Sequence, residues 1–272
     1  VTSTSGWVGV LSPRNGRTRW QTMLPSPSQS TPAVVGERLI VGADDGIVRS
    51  FSTDSGDPGW AVDVGGPVIG GITPARIADR GVVLVPSTDG SVYALDARTG
   101  RQVWAADLGD QVTAAPTVNG AMVVAGTMGG HVTALDLGTG SVRWDVTVPT
   151  PVFRSIGAHG DQVVVGLTAY GDCTVDGFAG FRALDATTGA TQWETTGLGC
   201  DFGHSAPVYG DGAWFAGTAL GTLVRIAPDN GAVQGSVLTD GWELGAPVIV
   251  GHTLVFGSDD QSVRAVATRP AG

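Results

Sequence analysis

Lysine is missing from this sequence: all 15 basic residues are arginine. That absence excludes a phosphate-binding loop built on lysine, a Ser-x-x-Lys acyl-enzyme centre and Schiff-base chemistry. Acidic residues outnumber basic ones by 25 to 15, for a formal charge of −10. Such an excess argues against nucleic acid or an anionic membrane surface as a partner. No run approaches the roughly 18 apolar residues of a membrane-spanning helix. No signal peptide begins at Val1, so the leader of an exported protein would lie outside these residues. Cysteine is down to two residues, Cys173 and Cys200. The four histidines, His131, His159, His204 and His252, fall in different parts of the chain, none at metal-ligand spacing. No Gly-x-Ser-x-Gly elbow occurs. Neither catalytic residues, nor a metal, nor a cofactor is expected.

Glycine, by contrast, is abundant, with 43 of 272 residues, as a chain of many short strands and tight turns requires. The organising stretch is Ser91-Val-Tyr-Ala-Leu-Asp-Ala-Arg-Thr-Gly-Arg-Gln-Val-Trp104. Val92, Ala94 and Asp96 alternate with Tyr93 and Leu95 at the strand period. Thr99-Gly100 supplies the turn, and Trp104 follows at a fixed offset. The unit returns over His131 to Trp144 and Phe181 to Trp193, with weaker copies over Ile47 to Trp60 and Trp7 to Trp20. A decayed copy runs from Leu223 to Gly235, which stands in the tryptophan slot. Between successive tryptophans the spacings are 40, 44, 40 and 49 residues, from Trp20 through Trp60, Trp104 and Trp144 to Trp193. A period of about 40–50 residues with four strand signals per unit reads as a β-propeller.

The Ala-Leu-Asp-x-x-Thr-Gly-x-x-x-Trp phrase resembles the repeat of the PQQ-like, or quinoprotein-type, β-propellers, over almost the whole chain. The resemblance implies an all-β fold of four-stranded antiparallel blades. It leaves activity open, because the family includes dehydrogenases, outer-membrane assembly scaffolds and sensor ectodomains of bacterial membrane Ser/Thr kinases. Its PQQ-dependent dehydrogenases have eight blades, an adjacent Cys-Cys pair and Asp, Asn and Glu ligands to calcium. Here the two cysteines are 27 apart and no ligand set maps. The fold carries over, and the redox chemistry does not.

Taken in order, Val1 to Gly6 is expected to fray. Trp7–Leu11 and Arg17–Gln21 form half a blade around Pro13-Arg-Asn-Gly16. Complete repeats then open at Thr31-Pro32, Thr73-Pro74, Ala115-Pro116, Ser155-Ile156, Ala206-Pro207 and Ala246-Pro247. Six openings imply six blades, with strands A (inner) to D (outer), within one domain spanning residues 1–272. The second strands are expected at 38–42, 82–85, 122–126, 162–166, 213–217 and 253–257. The last repeat ends at Val263–Ala267 without a Thr-Gly turn or tryptophan, so Arg17–Gln21 is expected to pair with it and close the ring. The duplicated third strand, Trp7–Leu11 against Val263–Ala267, keeps a seven-bladed reading open.

Trp60, Trp104, Trp144 and Trp193 are read as packing wedges between blades. Asp96, Asp136 and Asp185 are read as acceptors for the turn N–H groups. The Asp44-Asp45-Gly46, Asp89-Gly90 and Asp259-Asp260 turns lack the alternating carboxylates of a calcium loop and are read as hairpin chemistry. The least repetitive residues gather on the connections of the later repeats: Phe153, Arg154, Tyr170, Asp172, Asp176, Asp201, Phe202, His204, Trp242 and Glu243. Regular repeats hold small residues, such as Thr113 and Ala114, in the slots of Arg154 and His204. These residues are expected to line the mouth of the central channel and take a small polar ligand or a protein partner. Alternatively, Arg154 pairs with Asp172 or Asp201 and plugs the channel. Cys173 and Cys200 lie on connections that leave the same face of a blade and are expected to form a disulfide, which places the protein in an oxidising compartment. The functional expectation is a non-catalytic extracellular or cell-surface binding module, with any membrane tether lying in residues outside this chain. A propeller enzyme at the channel mouth and a PQQ-dependent quinoprotein are the alternatives.

Overall fold

A computed structural model describes residues 1–153, 156–167, 180–198, 205–218, 221–238, 246–258 and 260–268. Every regular element among them is a strand. At the N-terminus, β1 (Trp7–Leu11) and β2 (Thr18–Met23) form a two-stranded sheet. The first complete repeat is β3 (Ala33–Val35), β4 (Arg38–Gly42), β5 (Ile47–Ser52) and β6 (Pro58–Asp63). The second is β7 (Thr73–Ile77), β8 (Arg80–Pro86), β9 (Ser91–Asp96) and β10 (Gln102–Asp107), and the third β11 (Thr117–Asn119), β12 (Met122–Gly126), β13 (His131–Asp136) and β14 (Val142–Thr147). The fourth is β15 (Gly157–His159), β16 (Gln162–Leu167), β17 (Gly180–Asp185) and β18 (Thr191–Thr195). The fifth is β19 (Val208–Gly210), β20 (Ala213–Gly217), β21 (Thr222–Ile226) and β22 (Val233–Leu238). A three-stranded sheet of β23 (Val248–Val250), β24 (Thr253–Gly257) and β25 (Val263–Ala267) ends the described chain. Each complete repeat forms one sheet with its strands in chain order, as a propeller blade does.

The second strands explain the pattern. They are short apolar runs, such as Leu39-Ile40-Val41 and Met122-Val-Val-Ala125, buried throughout. A strand covered on both faces reads as continuous rather than alternating hydrophobicity. In five of the third-to-fourth strand pairings the register shifts close to the turn, at Val10/Leu11, Arg49/Phe51, Gln102/Trp104, Ala183/Leu184 and Arg225/Ile226. Such a bulge turns the fourth strand locally.

The chain divides into two compact units, Val1–Gly129 with Thr133–Val142, and Gly130–Val132 with Arg143–Gly272. In the first, one cluster joins Ile40, Val48 and Val64 to Val83, Val85 and Leu95 of the next repeat. A second joins Leu84, Val92 and Trp104 to Val123 and Leu135. In the other unit, Phe181, Ala183 and Trp193 pack on Trp214, Val224 and Ile226.

Two expectations change. Val1–Gly6 does not fray: Thr2 bridges Val8, Gly9 N–H donates to the Val1 carbonyl at 3.0 Å and Ser3 N–H to the Trp7 carbonyl at 2.9 Å. Backbone pairing with β1 outweighs the polar composition of the segment. The pairing of Arg17–Gln21 with Val263–Ala267 is absent from the ladders among the described residues. There β2 pairs with β1 and β25 with β24.

Candidate functional site

The recurring turn is an interlock between neighbouring repeats. Asp96 Oδ1 accepts the Arg98 N–H at 3.1 Å, the Thr99 N–H at 2.8 Å and the Thr99 hydroxyl at 2.8 Å. Asp136 and Asp185 make the same three bonds in their turns. Burial works against the charge on Asp96, but the Thr99 hydroxyl, the two turn N–H groups and the Arg80 guanidinium outweigh it and hold its pKa below the usual carboxylate range. At Asp185 the Thr188 N–H is the largest of the contributions that lower the pKa.

Each tryptophan then reaches the carbonyl one residue past the Asp slot of the next repeat. Trp20 donates to Thr53 at 2.9 Å, Trp60 to Ala97 at 3.1 Å and Trp104 to Leu137 at 2.9 Å. Trp144 donates to Ala186 at 2.9 Å and Trp193 to Pro228 at 2.7 Å. Its ring lies against the turn glycine, where a Cβ at Gly100 would meet Trp60 at 2.6 Å and one at Gly140 would meet Trp104 at 2.6 Å. These residues are scaffold, as the sequence indicates. So are the acidic hairpins: Asp45 Oδ2 holds Arg49 at 2.7 Å, Asp89 Oδ1 accepts the Ser91 N–H at 2.8 Å, and Asp260 Oδ1 accepts the Ser262 N–H at 2.9 Å. No group of three or more metal-ligating side chains occurs among the described residues.

The inner ends of the repeats carry small polar residues already engaged by backbone. Ser28 Oγ donates to the Gly42 carbonyl at 2.7 Å, and Ser30 Oγ to the Gly70 carbonyl at 2.7 Å. Ser205 Oγ accepts the Gly217 N–H at 2.7 Å. Of the residues expected at the channel mouth, Phe153 is described and is half-buried on the β14–β15 connection. Arg154, Tyr170, Asp172, Asp176, Asp201, Phe202, His204, Trp242 and Glu243 lie outside the described residues, as do Cys173 and Cys200 with their expected disulfide. By chain order, these residues belong to the β14–β15, β16–β17, β18–β19 and β22–β23 connections.

Two features escape the sequence. Between the innermost strands of the fourth and fifth repeats, the His159 ring of β15 stacks on Tyr209 of β19 at 4.0 Å, and Tyr209 meets Trp214 of β20 edge-on at 5.3 Å. Trp214 Nε1 donates to Gln162 Oε1 at 2.9 Å, and Gln162 Nε2 donates to the Pro228 carbonyl at 2.6 Å. None of these pairings has a fixed spacing to reveal it.

The other feature follows from the decayed repeat. Opposite Trp104 and Trp193 the third strand carries Ala94 and Ala183; opposite Gly235 it carries Arg225. The large and small members of the pair have changed places. A Cβ at Gly235 would meet nothing within 4 Å. Beside it a cleft of about 290 Å³ opens between β21–β22 and the end of β25, walled by Phe215, Leu223, Arg225, Val266 and Thr268. Arg225 lies 6.0 Å from the Phe215 ring centroid, and its Nη1 donates to Gln234 Oε1. Its Nε is shielded from solvent and has no partner among the described residues.

The family model described as outer membrane protein assembly factor BamB matches residues 1–78, 44–180 and 179–270. BamB of Burkholderia pseudomallei (strain K96243) is 29% identical over 281 residues, covering 97% of this chain and 69% of that protein. The serine/threonine-protein kinase AfsK of Streptomyces griseus is 34% identical over 169 residues, covering 56% of this chain and 20% of that one. The crystal structure of BamB from Moraxella catarrhalis matches with a TM-score of 0.80 at 23% identity, covering 97% of this chain and 80% of that one. Its likeness shows the fold, a β-propeller.

Proposed function

This chain belongs to the PQQ-like repeat family of outer membrane assembly factor BamB, and we propose on that basis that it is a non-catalytic binding module of the cell envelope, a single propeller over residues 1–272 that holds a protein partner. The observation that carries this reading is the family match, which runs through all the repeats and so covers the whole scaffold. The interlocks support it, since conserving geometry from repeat to repeat builds a rigid frame on which irregular connections can carry recognition. The proposed partner surface is the channel mouth, formed by Phe153, Arg154, Tyr170, Asp172, Asp201, Phe202, His204, Trp242 and Glu243. Tyr170 and Trp242 offer faces for stacking, and Arg154 offers a charged fork for carboxylate or hydroxyl groups. Its placement is extracellular or at the cell surface.

The test is photo-crosslinking. Benzoylphenylalanine at Phe153, irradiated with a solubilised envelope fraction, should yield a discrete protein adduct that disappears when Arg154 and Trp242 are both changed to Ala. The melting temperature should stay within about 2 °C of the parent, as expected for substitutions outside a core. Adducts unaffected by the double change would reject the channel mouth as the partner surface.

AfsK favours a second reading, as the extracytoplasmic sensor of a membrane Ser/Thr kinase. Sequencing the reading frame on both sides of residues 1–272 checks it: a membrane span joined to a kinase domain supports the sensor, and their absence there rejects it.

A further inference from the structure

The cleft beside Gly235 has five internal templates. In each, an indole crosses from a fourth strand to the next repeat and donates to the carbonyl just past the Asp slot. The corresponding carbonyl for Gly235 belongs to Thr268. The register fixes this: Thr253 pairs with Ala267 as Val82 pairs with Asp96, and Thr268 N–H donates to the His252 carbonyl as Ala97 N–H donates to that of Gly81. Thr268 lines the cleft. The chain therefore keeps the acceptor and the apolar walls of a sixth indole site and leaves out the indole.

We propose that this notch is a docking site for a tryptophan side chain of a partner polypeptide that carries an acidic residue beside it. The indole enters the open space at Gly235, its N–H donates to the Thr268 carbonyl, and its faces meet Val266 and Leu223. The neighbouring carboxylate accepts from Arg225, whose Nε is otherwise shielded and unpartnered among the described residues. A vacant notch here costs the scaffold a packing wedge, and the Arg225 slot holds a smaller residue where a tryptophan stands opposite it, Val10, Ala94 or Ala183; the exchange makes chemical sense if the wedge is supplied in trans. A polypeptide is favoured over a free small molecule because β22 beside the notch is exposed along its length and presents Val233, Val237 and Leu238 to solvent. These are contacts for residues flanking the tryptophan. The proposal rests on the reading of the propeller as a protein-binding module, but it uses a surface distinct from the channel mouth.

The experiment uses the full chain and a fluorescein-labelled peptide, Gly-Ser-Gly-Asp-Trp-Gly-Ser-Gly, followed by anisotropy. Binding should saturate with a Kd below about 1 mM, the weak end of the measurable range. Replacing the peptide's tryptophan by alanine, or Gly235→Trp in the protein, should weaken it by at least about tenfold, as removal of an anchor does. Arg225→Ala should weaken the Asp-bearing peptide by several fold and leave an Asn-bearing one unchanged. Gly235 has ordinary backbone geometry and open space before it, so the substitution is expected to fold; should Gly235→Trp fail, Gly235→Leu fills the same space. Equal binding to the filled variants, or no saturation with folded parent protein, overturns the proposal. Indole-3-acetate binding as tightly as the peptide would also overturn it, in favour of a small-molecule site. So would self-association abolished by Gly235→Trp, which would put a second copy in the notch. Because the Phe153 crosslink reads the other surface, loss of peptide binding with the crosslink intact rejects the notch alone.

Discussion

The turn carboxylates make the acid stability of this protein predictable. Asp96 and Asp185 are held below their ordinary pKa values, and Asp260 is lowered to about 2 by the Ser262 hydroxyl and N–H together with Arg264. A carboxyl whose folded pKa lies below its unfolded value, about 3.9 for Asp, contributes stability that is fully present above the unfolded pKa. That contribution is lost as pH falls through the folded one. The carboxylate contribution should therefore be complete near neutrality and be lost from about pH 4 towards about pH 2. Asp96→Asn keeps an oxygen for the turn N–H groups but removes the titration, so the variant should begin less stable at pH 7 and show a shallower acid decline. Melting curves across that range check it, and parallel declines for parent and variant would refute the assignment. The tryptophans act differently. Trp104→Phe keeps most of the ring but leaves the buried Leu137 carbonyl unpaired, at a cost of about 1–3 kcal/mol in denaturant unfolding.

At the scale of the element, the Thr-Gly-x-x-x-Trp phrase is two halves of different interlocks. The turn glycine receives the tryptophan of the preceding repeat, while the tryptophan four residues on reaches the next. The two demands on glycine can be separated. Gly16 has φ of 69° and nothing within 4 Å of a Cβ, whereas Gly140 has φ of 73° and Trp104 at 2.6 Å. Gly16→Ala should cost only the left-handed conformation, about 1–2 kcal/mol. Gly140→Ala should add a further overpacking penalty of about 1–3 kcal/mol. Equal losses in equilibrium unfolding would show that the ring contact does not matter. The same phrase explains what was legible. Strands β4, β12, β20 and β24 coincide with their expected bounds, because a short buried run between a polar turn and an Asp-Gly or similar hairpin leaves the chain few choices. The bridge from Thr2 to Val8 was not legible, since Ser and Thr compose frayed ends and edge pairings alike. Gly235 was visible as a lost tryptophan, but its meaning needed the strand register that sets it opposite Arg225. The residues expected at the channel mouth follow no repeat at all, so their grouping came from topology rather than pattern.

Across the first compact unit, the N-terminal strands are part of the packing rather than an appendage. Val8 and Leu24 are buried with Leu39, Val41, Ala43 and Phe51, and Trp20 lies against this cluster with its ring centroid 6.2 Å from that of Phe51. Trp20 also caps the next repeat through the Thr53 carbonyl. Removing residues 1–24 would uncover one face of β4 and β5, and Leu39, Val41 and Phe51 would meet water. At about 1.5–3 kcal/mol for each large side chain whose burial is lost, the deletion should lower stability by several kcal/mol. For a chain of this size each kcal/mol is worth about 2–4 °C, so the melting temperature should fall by about 10 °C or more. The reason differs from ring closure, and one control separates the two. If β2 stabilises only through this cluster, Phe51→Ala should account for much of the same loss, and adding the deletion to it should cost clearly less than the sum. Full additivity would mean that the N-terminal strands have a second stabilising partner beyond the first repeat, and an unchanged melting curve after the deletion would show that they have none.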